Sequence, residues 1–189
     1  MGKRAWLLLT YKVPPEPARH RIALWRRLKG LGAVYLQNGA CLLPNSDEHL
    51  RRLKILENDI IEMRGEAVLL EAAGLDAHQE ERVVQRFNAE RDEQYQEFLG
   101  RCADFHAEIL RETESNHFSY AELEENDEDL KKLQAWLPKI RKLDFYAAPL
   151  ATAAEQALKD CEGELDTFSR LVFEAYEENR ATGERTSPA

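Results

Sequence analysis

The chain has 189 residues, of which 43% are hydrophobic and 32% charged, with a formal net charge of −9. That length fits one large domain or two small ones with a real core, and the apolar content excludes whole-chain disorder. No apolar run approaches the ~18 residues of a membrane-spanning helix, and residues 5–9 are too few for a signal-peptide core.

Three cysteines, Cys41, Cys102 and Cys161, lie far apart. Odd in number and unpaired in spacing, they predict reduced thiols and a cytoplasmic protein, not a disulfide framework or a zinc site. The net charge is unevenly spread. Residues 1–65 carry 12 Lys+Arg and 6 Asp+Glu (+6), and residues 66–189 carry 14 and 29 (−15). Acidity alone argues against nucleic acid, but charge per segment reopens the question for the first third.

Residues 6–11 form a short apolar run that stops at Pro14, Pro15 and Pro17, which favours a buried strand. Residues 18–31 read as a helix. Ala18, Ile22, Leu24, Trp25, Leu28 and Leu31 project to one broad side, and Arg19, His20, Arg26 and Arg27 to the other. Residues 33–37 and 40–43 read as two strands joined at Asn38-Gly39, a strong hairpin signal. A second helix is expected over 47–63, capped by Asn45 or Ser46, with Leu50, Leu53, Leu56, Ile60 and Met63 inward. Its early outward face holds Arg51, Arg52 and Lys54. Residues 67–70 make a fourth strand. The order β-α-β-β-α-β is the ferredoxin-like arrangement, an antiparallel sheet with two helices on one face.

Beyond residue 72 the period changes from two to about 3.6. Asp76 can cap a long helix to about 111, with a charged break at Glu90-Arg91 in its apolar stripe. Ser119 with Glu122 reads as a capping box for a second helix, in which Pro138 is expected to cause a kink or interruption. A third helix follows Pro149 to about 179. The expected class is therefore α+β: a ferredoxin-like domain over 1–72, an antiparallel three-helix extension over 76–179, and a disordered tail over 180–189.

No assembled catalytic or metal site is legible, and no cofactor is expected. The five histidines fall in no metal-binding pattern, and no phosphate-loop or nucleophile motif occurs. Cys102 and His106 stand four apart on a helix, a spacing that can hold a metal, but Cys102 lies in line with Phe98, Phe105 and Ile109 and reads as core. The acidic run from Glu122 to Asp129 reads as a solvated helix start. The basic cluster is the best candidate: Lys3, Arg4 and Lys12 at the first strand, Arg19, Arg26, Arg27 and Lys29 on the first helix, and Arg51, Arg52 and Lys54 on the second. Such a surface favours phosphate contacts with nucleic acid. It could equally dock acidic helices of this chain or of a partner.

Several stretches carry a resemblance. They are Trp6-Leu-Leu-Leu-Thr-Tyr-Lys-Val-Pro, Arg21-Ile-Ala-Leu-Trp-Arg-Arg-Leu-Lys-Gly-Leu-Gly-Ala and Asn38-Gly-Ala-Cys-Leu-Leu-Pro, then Phe87-Asn-Ala-Glu-Arg-Asp-Glu-Gln-Tyr-Gln-Glu-Phe, Phe118-Ser-Tyr-Ala-Glu-Leu-Glu and Leu143-Asp-Phe-Tyr-Ala-Ala-Pro. Together they resemble the N-terminal domain family of the chromate-resistance regulator ChrB, across about residues 5–178. The resemblance implies a bacterial, cytoplasmic, non-enzymatic regulator that binds promoter DNA of an efflux operon. A homodimer is expected. Full-length relatives carry a further C-terminal domain, so the expectation is of a stand-alone relative with a separate sensory-domain partner. The first 70 residues also resemble the ferredoxin-like domain of PaaX-type repressors and of a small CRISPR-adaptation nuclease. Where that nuclease has a metal-holding aspartate, this chain has Lys12, whose charge would repel a cation but can contact a phosphate. A nuclease or chromate-handling enzyme is thus the third reading, behind a regulator and a protein-interaction module.

Overall fold

A computed structural model describes residues 4–184 of the chain. The elements run β1 (Ala5–Lys12), α1 (Ala18–Gly30), β2 (Val34–Gln37), β3 (Ala40–Pro44), α2 (Asp47–Glu62), β4 (Glu66–Ala73), α3 (Ala77–Glu114), α4 (Tyr120–Lys142) and α5 (Ala151–Glu184). The sheet order is β2-β3-β1-β4 with every neighbouring pair antiparallel. This is the expected ferredoxin-like arrangement within an α+β chain. Strand β1 is central because it is apolar on both faces: Leu7 and Leu9 point one way and Trp6 the other, all buried.

The chain forms two compact units, Met1–Arg91 with Leu143–Ala148, and Asp92–Lys142 with Pro149–Ala189. The first takes in more chain than residues 1–72, namely the opening turns of α3 and a short return segment. In it, Leu24 and Leu28 of α1 and Leu53, Leu56 and Ile60 of α2 pack with Leu7, Leu9, Cys41 and Leu43 on one face of the sheet. On the opposite face Trp6, Val34 and Leu42 pack with Val84 and Phe87 of α3, beside Phe145 and Tyr146. The Trp6 indole N–H donates to the Tyr146 hydroxyl at 2.9 Å, and Phe87 meets the Tyr146 ring at 5.2 Å. The sheet thus has a layer on each face, and strand β4 extends to eight residues where four were expected.

Local signals hold where they were strongest. Gly39 has φ +74°, and a Cβ there would lie 2.5 Å from the Tyr11 carbonyl, so the hairpin turn requires glycine. The Ser46 hydroxyl accepts from the His49 N–H at the start of α2, and the Asp76 carboxylate accepts from the Gln79 N–H before α3.

Three expectations are corrected. Ile22 and Trp25 of α1 are 49% and 51% exposed, because a 13-residue helix meets the sheet through a narrow seam that Leu24 and Leu28 fill. Pro138 lies inside helix α4 and does not interrupt it. Helix α5 continues to Glu184, past the expected start of a tail at 180; residues 185–189 of that tail lie outside the described residues.

The second unit joins α3 from Asp92 onward with α4 and α5. Phe98 stacks edge-on against Trp136, and Gln134 and Arg141 of α4 meet Glu162 and Glu155 of α5 in antiparallel register. The break in the α3 stripe falls at the boundary between the units. Glu90 accepts from Lys29 in the first unit, Arg91 is buried, and Asp92 accepts from the Leu150 N–H ahead of α5 in the second. By these bounds the first unit holds 15 basic and 13 acidic residues (+2) and the second 11 and 22 (−11), so the charge contrast persists but is milder than the split at residue 65 suggests. Among the described residues no helix is long and apolar enough to cross a membrane.

Candidate nucleic-acid interface

Because α1 and α2 bury their leucines against one face of the sheet, their opposite sides face solvent. Arg19 and Arg26 on α1 and Arg51, Arg52 and Lys54 on α2 are all exposed. Among the described residues none of the five has an acidic partner within 4.0 Å. Helix formation places them there, off the seams formed by Leu24 and Leu28 in α1 and by Leu53, Leu56 and Ile60 in α2.

Two of the expected residues are differently placed. Arg27 is ion-paired with Asp59 of α2, which ties the two helices together. Lys29 donates to Glu90 at 2.5 Å, is only partly exposed, and lies 5.9 Å from the Tyr35 ring centre. Their charge is compensated within the fold, so they offer a phosphate less than the other five. Lys3 lies outside the described residues. Lys12 stands apart from the helix faces, at the end of β1, where it lines a groove with Arg21 and Trp25. Sequence reading placed Trp25 in the core and gave Arg21 no role. The available signal was their i, i+4 spacing, which sets an arginine and an indole side by side on one helix.

The cysteines are free and buried. Burial pushes the Cys41 thiol up to about 12. Cys102 and Cys161, 59 residues apart, are neighbours: the Cys161 thiol donates to the Cys102 carbonyl at 3.8 Å. A thiol–thiol hydrogen bond between them lowers the Cys102 thiol against the opposing effect of burial, and together with burial raises Cys161. His106, four residues after Cys102, meets α5. Its Nδ1 sits 2.6 Å from the Glu164 carboxylate.

At the α3–α4 turn Glu112, His117 and Glu122 bring one ligand-type atom each to within 4.8 Å of one another, a grouping invisible to motif reading because it spans a helix end. His117 is already engaged there, 3.1 Å from the buried Glu112 carboxylate. The expected start of α4 is present: the Ser119 hydroxyl accepts from the Glu122 N–H at 3.2 Å.

The family described as Protein ChrB, N-terminal, matches residues 21–179 of the chain. Protein ChrB of Cupriavidus metallidurans (strain ATCC 43123 / DSM 2839 / NBRC 102507 / CH34) is 27% identical over 162 residues, which cover 86% of this chain and 47% of that protein. The chain spans about half the length of the curated relative it matches. No solved structure matches it.

Proposed function

The chain belongs to the ChrB N-terminal family, and from that premise we propose that it is a non-enzymatic transcriptional regulator of chromate resistance that binds promoter DNA through α1 and α2. One observation carries the DNA contact. Five exposed cations, Arg19, Arg26, Arg51, Arg52 and Lys54, lie on two helices of one layer with no acidic partner among the described residues. A chain of net charge −9 keeps these cations uncompensated where a surface free of anionic partners would intersperse acids. Contacts of this kind fix a protein on the phosphate backbone, and they are salt-sensitive. In this reading the protein is cytoplasmic and works as a homodimer.

Fluorescence anisotropy on the duplex upstream of the protein's own operon tests it. Binding that weakens with salt and is strongly reduced in the Arg26→Glu, Arg51→Glu double variant is expected. Binding that is absent, or indifferent to both substitutions, refutes the DNA contact.

A second reading, a protein-interaction module, is favoured by one feature of the second unit. Tyr120, Phe173 and Tyr176 are 43%, 49% and 58% exposed yet stack on one another at 5.5 and 4.9 Å. Exposed clustered aromatics mark protein contacts. Under that reading Phe173→Ser dissociates an oligomer in sedimentation while leaving DNA binding unchanged.

A further inference from the structure

A groove of about 660 Å³ opens beside the end of β1, within the first unit. Its volume lies in the range of small-molecule sites, roughly 300–1,000 Å³. Its walls combine three chemistries. Lys12 and Arg21 supply cations, and among the described residues neither has an acidic partner within 4.0 Å. Glu66 is opposite Lys12 in the strand ladder but makes no ion pair with it. Trp25 supplies an indole, 51% exposed on a helix whose other large apolar side chains, apart from Ile22, are mostly covered. Tyr11 and Tyr35 supply hydroxyls 2.9 Å apart.

That tyrosine pair is asymmetric by necessity. One hydroxyl donates its proton to the other, so the acceptor's own proton is left to donate elsewhere. Burial holds both phenols above their ordinary values, which keeps them neutral donors at physiological pH. The floor beyond them is the β2–β3 turn, where Gln37, Asn38 and Gly39 add amide groups and backbone without bulk. Arg21 and Trp25 are one helical turn apart, so a cation and a flat aromatic face stand side by side above these donors.

We propose that this groove binds a nucleoside phosphate, the base stacking on Trp25 and the phosphate held by Lys12 and Arg21. An aromatic face alone would take any planar ring, and two cations alone any anion. Their adjacency selects a ligand with both, which is the way single nucleotides are held outside a duplex. The same chemistry reaches the groove either as a free mononucleotide or as an unpaired nucleotide within a DNA strand. Arg21 and Trp25 share α1 with Arg19 and Arg26 but lie about a third of a turn around the helix from them, so the site uses none of the five duplex cations and its success or failure is independent of that reading.

The test uses the full chain with deoxyadenosine monophosphate and an eight-residue thymidine oligonucleotide as probes. Deoxyadenosine and inorganic phosphate serve as half-ligands. Of the three tryptophans, Trp6 is 1% exposed, Trp136 is half-buried against Phe98 in the second unit, and Trp25 is 51% exposed, so stacking in the groove should quench emission chiefly from Trp25. Quenching by the mononucleotide or the oligonucleotide is expected, and whichever binds at lower concentration identifies the source. In calorimetry Trp25→Ala weakens that binding roughly tenfold or more, in line with the loss of one stacked base. Lys12→Ala and Arg21→Ala each weaken it as well, and each half-ligand binds at least tenfold less tightly than the nucleotide. Trp25 and Arg21 are exposed, so circular dichroism should show all variants folded. The Arg26→Glu, Arg51→Glu variant keeps mononucleotide binding, which separates the two sites. Absence of binding by both probes, equal affinity of wild type and Trp25→Ala, or equal affinity for inorganic phosphate and the nucleotide would each overturn the proposal.

Discussion

The salt dependence of duplex binding separates free from compensated cations, and its size follows from the ion pairs. Six cations on α1 and α2 are without an acidic partner among the described residues; Arg21 lines the groove beside β1, and the other five, Arg19, Arg26, Arg51, Arg52 and Lys54, are assigned to the duplex, whereas Arg27 and Lys29 are held by Asp59 and Glu90. Each neutralised phosphate contributes about −0.9 to the slope of log K against log salt, so five contacts give roughly −4.5. Raising salt from about 50 to 200 mM then lowers affinity about 500-fold. Reversing Arg26 and Arg51 removes two contacts and flattens the slope to about −2.7.

The informative variant is Asp59→Asn. It removes the anion that occupies Arg27 and makes a sixth cation available, so binding should strengthen and the slope steepen by up to about 0.9. Anisotropy titrations at four or five salt concentrations read all three slopes. A wild-type slope shallower than about −2 would refute the count of contacts. A Arg27→Ala variant as damaging as Arg26→Ala would refute the distinction between paired and free cations.

Tyr146→Phe strands the Trp6 indole N–H in a site where Trp6 is 1% exposed, and should cost about 1–3 kcal/mol in urea unfolding; a loss below about 0.5 kcal/mol would show that this bond does not fasten the return segment. Phe98 is fully buried against Trp136, so Phe98→Ala should destabilise the second unit by about 3–5 kcal/mol, read by the same method. Cys41, raised from 9.0 to about 12 by burial, keeps its proton when the unfolded chain has lost it. Its contribution is therefore complete below pH 9 and is lost as pH rises toward 12, at about 1.4 kcal/mol per pH unit. Tyr11 and Tyr35, also raised, add to the decline above their ordinary value of 10. The Cys41→Ala variant should accordingly show a shallower fall in stability between pH 9 and 11 than wild type, and equal slopes would remove Cys41 as a cause.

Much of this protein was determined by local sequence. The Asn38-Gly39 turn needs a left-handed residue whatever surrounds it, Ser46, Asp76 and Ser119 cap helices through bonds spanning three residues, and the change of period near residue 72 separates sheet from helices. These signals act within one turn or one strand, so the βαββαβ order and the helical region after it could be read directly. The basic helix faces were legible for the same reason, since periodicity alone says which residues share a side.

What the tertiary structure decided were matters of partnership across long separations. Whether Arg27 and Lys29 are free depends on Asp59 and Glu90, 32 and 61 residues away. Residues 143–148 belong to the first unit because Phe145 and Tyr146 cover Phe87 and Trp6, which no window of sequence contains. Trp25 has the right phase for a core position and is nevertheless exposed. A helix fixes the direction in which a side chain points, and only the width of the surface packed against it decides whether anything is there to bury it.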